Sequence, residues 1–216
     1  MVKILVEIQA SHVGIGKSTF VKKLNLPYVD DCIQLVESDP AFFYGDANNY
    51  GNGNDEFKHL LRSYLVLENY AASLDQLSSQ LETNCTVMSS RSPIISCIQF
   101  ATREVDWKPL LSYYKKRLEH LGVGKVLILD YGTVIQENEE AVKRGFQRMN
   151  ERGRMFEKMA FNSYEKYHGF FQRAEQVKLD IVDALKKDRF FHYINIPVFH
   201  DFNEKDVEIV RMLQNL

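Results

Sequence analysis

The chain has 216 residues, 27 basic against 29 acidic side chains and a formal charge of −2, so no global field marks it for nucleic acid or a membrane surface. That length suits one α/β unit with a sizeable core, and 1–216 reads as a single domain with no linker and no internal repeat. Cys32, Cys85 and Cys97 are odd in number and lack metal-type spacing, which argues against a disulfide framework or zinc and for a cytoplasmic or other reducing intracellular setting. No apolar stretch approaches the ~20 residues of a membrane span, and Val2 to Ile8 is too short, and lacks the basic lead, for a signal peptide.

The first predicted strand, 3–9, runs into Ser11-His12-Val13-Gly14-Ile15-Gly16-Lys17-Ser18-Thr19 and then a helix over 17–24. Gly14 and Gly16 let the backbone curl so that successive N–H groups converge on phosphate oxygens at a helix N-terminus. Lys17 adds a charge for the β and γ phosphates, and Ser18 supplies a hydroxyl suited to Mg²⁺. Val13, Ile15 and Thr19 complete this phosphate-binding loop, in which Ser11 stands where the Walker pattern has Gly. The alternative is a glycine-containing turn opening an ordinary helix, which leaves the Gly16-Lys17-Ser18 core behind a strand without a reason.

A second short strand over 35–37 ends on Glu37, and 43–54, rich in Asn, Gly and Tyr, reads as a loop. Helical spacing then covers 55–82, which carries Arg62, followed by a strand over 86–89 that leads to Arg91 and Ser92. Helices over 94–102, with Ser96 and a Cys97 read as a buried structural thiol, and over 107–120 precede a strand at 125–131. A helix over 137–152, one over 161–187, a strand over 192–197 and an amphipathic helix over 204–216 complete the chain. Strand alternating with helix predicts an α/β fold: a three-layer sandwich of the P-loop NTPase type, with a parallel sheet of about five strands flanked by helices.

Arg144, Arg148 and Arg152 recur every four residues and share a helix face, and Gly153 breaks the helix before Arg154. Guanidiniums so close repel one another unless an anion joins them, and in phosphoryl transfer the γ-phosphate is that anion. A solvated face paired to Glu137, Glu139, Glu140 and Glu151 is the competing reading.

Taken together, the strand and phosphate loop, a Glu after the second strand, Arg-Ser after the third and an R-x-x-x-R-G-R segment resemble the deoxynucleoside kinases over nearly the whole chain. The resemblance is strongest at 14–20, at 148–157 continuing into 164–171, and at 196–204. It implies an Arg-rich lid at about 148–158, a kinase that uses ATP with Mg²⁺, and transfer of phosphate to the 5′-hydroxyl of a deoxynucleoside in nucleotide salvage. It further implies Glu37 as general base and Arg91 as the holder of the reacting 5′-end. Arg148 would lie near adenine, Arg152 and Arg154 would reach the phosphates, and Glu157 would bind the sugar 3′-hydroxyl. Arg62 stands where the family has a base-reading Gln, Ser96 where many members have Asp, Ser38 where Pro is usual and Ser90 where a Glu helps organise magnesium. The resemblance also implies a homodimer packed through long helices, with 55–82 and 94–120 as its surfaces.

The changes gather in the acceptor pocket. Arg62 offers donors only and a charge, and so could pair with Glu37 or Glu157, meet a base acceptor, or bind an acceptor phosphate. A kinase of nucleoside monophosphates is therefore the first alternative, and a non-catalytic nucleotide-binding descendant the second.

Overall fold

The computed structural model describes residues 2–10, 21–22, 26–29, 54–81, 85–99, 107–131, 139–153, 158 and 161–196. Five strands, β1 (Val2–Ala10), β2 (Tyr28–Val29), β3 (Cys85–Ser89), β4 (Lys125–Tyr131) and β5 (Phe191–Ile196), form one sheet in the order β2-β3-β1-β4-β5. Every pairing is parallel. The continuous apolar run of β4 follows from this: Val126, Leu127, Ile128 and Leu129 are all buried because both faces of a parallel sheet are covered.

The helices are α1 (Asn54–Ser78), α2 (Pro93–Gln99), α3 (Trp107–His120), α4 (Glu139–Arg152) and α5 (Tyr164–Lys187). Leu110, Tyr114 and Leu118 of α3, spaced four apart, are its buried residues. They join Leu67, Tyr70 and Leu74 of α1, Ile94 and Ile95 of α2, and Ile181 and Leu185 of α5 in the core against Leu5, Val87, Val126, Ile128 and Phe191. Val142 and Met149 of α4 pack with Phe161 and Tyr167 in a separate cluster. Phe146 of α4 and Tyr164 of α5, edge to face at 5.8 Å and 69°, fasten α4 to the start of α5.

Several boundaries move from their predicted places for local reasons. The helix predicted to 82 ends at Ser78, where the hydroxyls of Ser78 and Ser79 donate back to the carbonyls of Asp75 and Gln76. Instead of starting at 161, α5 starts at Tyr164, because Ser163 caps it by accepting from the Lys166 amide at 3.3 Å. Pro93 occupies the first position of α2, where its missing N–H costs nothing. Gly153, with φ of 75°, ends α4 where the sequence predicts a break. At Gly124 a Cβ would come within 2.8 Å of the Lys3 carbonyl oxygen, so glycine permits the start of β4 to press against β1. Strand β2 at Tyr28–Val29 was not predicted; the predicted strand 35–37, residues 43–53 of the predicted loop and the closing helix 204–216 lie outside the described residues, and Asn54, predicted in that loop, begins α1.

Candidate active site at the carboxyl end of the sheet

Strand β1 is central, with β3 on one side and β4 on the other, so the strand order reverses around it. In open parallel sheets this reversal opens a crevice beyond the carboxyl ends of the strands, where ligands bind. β1 ends at Ala10, directly before the predicted phosphate loop, and β3 ends at Ser89, directly before Ser90-Arg91-Ser92.

The face of the sheet under α1, α3 and α5 changes character along its length. Towards the amino end it presents Leu5, Val87, Val126 and Ile128. Towards the carboxyl end it presents Glu7, Gln9, Ser89 and Asp130, all buried. Glu7 stands beside Ser89 and Gln9 beside Asp130 in strand register.

Glu7 accepts hydrogen bonds at Oε1 from Tyr114 of α3 and, at 3.5 Å, from Tyr70 of α1. Burial pushes its carboxyl up to about 7, with the hydroxyls of Tyr114, Ser92 and Tyr70 pulling the other way. Asp130 accepts from Lys178 Nζ of α5 at 2.6 Å and from the Tyr193 hydroxyl of β5. Both members of that ion pair are fully buried.

The raised Glu7 value has a testable consequence for folding. Because the folded chain favours the neutral carboxyl, its contribution to stability is complete below about pH 4.5 and is lost as pH rises through about 7. Glu7→Gln keeps the shape and cannot ionise. We expect the variant to match the parent near pH 4 and to be more stable at pH 8 by roughly 3 kcal/mol, the equivalent of the shift. Urea midpoints at the two pH values check this, and an equal difference at both would overturn it.

Arg91 and Ser96 lie together at this end. The Ser89 hydroxyl donates to the Arg91 carbonyl at 2.7 Å and accepts from the Arg91 amide at 3.4 Å, closing the turn between β3 and α2. The Ser92 carbonyl accepts the first α2 bond from Ser96 N at 2.9 Å, and Ser96 is buried. Cys97 donates its thiol to the Ser63 carbonyl of α1 at 3.8 Å. Burial pushes that thiol up to about 12, against the hydrogen bond to Ser63 and the nearby charge of Arg91. The backbone at Ser63, next to Arg62 in sequence, therefore meets α2 at Cys97. Ser90 is buried with a hydroxyl that has no partner among the described residues.

On α4, Arg144 and Arg152 are exposed and Arg148 is half-buried. Glu139 pairs with Lys143 at 2.9 Å and Glu151 accepts from Gln147 at 3.0 Å. Val13, Gly14, Ile15, Gly16, Lys17, Ser18, Thr19, Glu37, Arg154 and Glu157 lie outside the described residues, as does the Arg62 side chain. Glu7, Asp130 and Lys178 were missed in the sequence. For Glu7 and Asp130 the signal is a polar residue within an otherwise apolar strand, whereas Lys178 lies on helix α5.

No protein-family model matches the chain, and no curated protein matches it in sequence. Among solved structures it is similar to a deoxyadenosine kinase from M. mycoides with bound dATP, at 16% identity and a TM-score of 0.53, covering 100% of both chains. It is also similar to a shikimate kinase from Bacteroides thetaiotaomicron, at 14% identity and a TM-score of 0.50, covering 100% of this chain and 99% of that one. The chain thus has the fold of the P-loop kinases, with the deoxynucleoside kinase-like architecture that its motifs imply. Among the described residues no helix is long and apolar enough to cross a membrane.

Proposed function

We propose that the chain is an ATP-dependent deoxynucleoside kinase. The observation that carries this reading is the position of β1. Its carboxyl end, at the reversal of strand order, hands the chain directly to a Gly14-Ile15-Gly16-Lys17-Ser18 sequence, with the Arg91 turn on the neighbouring strand.

The donor set fits Mg²⁺ with ATP: Ser18 would hold the ion, Lys17 the β and γ phosphates, and Arg148, Arg152 and Arg154 would close over them. The unpartnered, buried Ser90 hydroxyl beside Arg91 is a group that a bound ligand can satisfy. When bound, the metal ion would neutralise phosphate charge. Glu37 takes the proton from the sugar 5′-hydroxyl, whose oxygen forms a bond to the γ-phosphorus as the bond to the β–γ bridging oxygen breaks and ADP leaves. Arg91 orients the reacting end, Glu157 the sugar 3′-hydroxyl, and Arg62 with Ser96 faces the base. A homodimer through α1 is supported by Leu61 and Leu65, four residues apart on that helix and 45% and 42% exposed. The free thiols of Cys85 and Cys97 suit a reducing compartment.

Incubation with radiolabelled ATP and a panel of deoxynucleosides and nucleoside monophosphates tests the reading. We expect label on deoxynucleosides and a fall in kcat of roughly 10²-fold in Glu37→Gln. Arg62→Gln should preserve turnover while shifting base choice. Label on monophosphates alone, with Arg62→Gln raising the acceptor KM steeply, would replace this reading with a monophosphate kinase. ATP binding without transfer to any acceptor would replace it with a non-catalytic protein.

A further inference from the structure

A cavity of about 810 Å³ opens at the opposite, amino end of the sheet, among the first residues of β1, β4 and β5 and the last turn of α5. By strand rise, Lys3 is about 23 Å from the end of β1. Its floor includes Ile4, Leu127 and Ile194. Lys3, Lys125, Lys186, Lys187 and Arg189 also line it, all of them exposed. Asp188 is the lining carboxylate, and it is engaged by Lys115 at 2.8 Å.

None of Lys3, Lys125, Lys187 and Arg189 has an ion-pair partner among the described residues, while Lys186 lies over the Tyr193 ring at 5.7 Å. Lys186 and Lys187 complement the carbonyl end of α5. That end does not account for Lys3, Lys125 or Arg189, which arrive from three other segments and raise the repulsion. Like charges brought together around an apolar floor favour a ligand that carries both complements.

We propose that this cavity is a second binding site, separate from the kinase site, for an organic anion with two or more negative charges and an apolar body. The floor takes the body and the lysine–arginine rim the charges. The cavity size falls within the range of small-molecule pockets, roughly 300–1,000 Å³.

His192 lines the cavity and reports occupancy. Its ring signals, assigned by comparison with His192→Gln, can be followed by NMR in the full chain during titration with the dianionic apolar dye bis-anilinonaphthalene sulfonate. A single saturating site is expected. Its Kd should weaken about tenfold in Lys125→Glu/Lys187→Glu, and less than about twofold when the same charge change is placed on exposed Lys116 and Lys166. Equal weakening in both double variants, or none in the first, would overturn the site. If the first variant does not fold, Arg189→Ala, with a smaller charge change on an exposed side chain, is read in the same way. Pyrophosphate, charged but without an apolar body, should bind at least about tenfold more weakly at the same signals. Equal affinity would overturn the amphiphilic assignment.

Discussion

Lys17→Ala is expected to lower kcat by at least about 10²–10³-fold and to weaken ATP binding, while the chain melts as the parent does. The magnitude follows from removing one preorganised charge aimed at the transferring phosphoryl group. The retained fold follows from what holds β1: its pairing with β3 and β4 and the buried core around Leu5. Steady-state turnover, calorimetric ATP binding and a thermal melt together check the prediction. An unchanged kcat would remove Lys17 from the donor site, and a collapsed melt would make it a structural residue.

The largest effect on stability is expected at Lys178. Lys178→Met leaves the Asp130 carboxylate without its cation in a place where both side chains are 0% exposed. Breaking a buried pair on one side costs about 3–5 kcal/mol, because the remaining charge has lost its water and its cation and keeps only the Tyr193 hydroxyl. Replacing both members is different. In Asp130→Asn/Lys178→Met no charge remains to be buried, and the Tyr193 hydroxyl keeps an acceptor in the amide oxygen. Most of the loss should therefore be recovered. Urea denaturation at constant slope compares the two variants, and a double variant as unstable as the single one would show that the aliphatic stem of Lys178, and not its charge, is what matters.

Much of the framework was readable from periodicity. Strands β1, β3, β4 and β5 lie within one residue of their predicted starts, and α3 has its predicted bounds, because each is a run whose apolar positions match the element's period. β2 escaped because two residues carry no period, and the early end of α1 escaped because it depends on two serine hydroxyls folding back. At the candidate site, α2 meets α1 where the Cys97 thiol donates to the Ser63 carbonyl, a contact the sequence does not signal. Glu7 and Asp130 went unread for a plainer reason. Their partners lie 107, 63 and 48 residues away, and only the covering of the sheet decides that a polar residue in a strand faces a helix and not water. The phosphate loop, Glu37 and Glu157 belong to the sequence reading and to the proposal built on it.

The division of one sheet face into an apolar half and a polar half also separates what this chain can change from what it cannot. Leu5, Val87, Val126 and Ile128 make contacts without direction, so swaps that keep volume let α1, α3 and α5 resettle by small shifts. Hydrogen bonds carry no such tolerance. Tyr70 and Tyr114 reach Glu7, and Lys178 reaches Asp130, only when each helix stops at one point along the strands. Drift in the core is thus absorbed at the amino end of the sheet, while the helices stay in place over its carboxyl end. On the proposed kinase reading, a change of substrate preference is therefore easier to reach by changing side chains near Arg91 than by sliding any of the three helices.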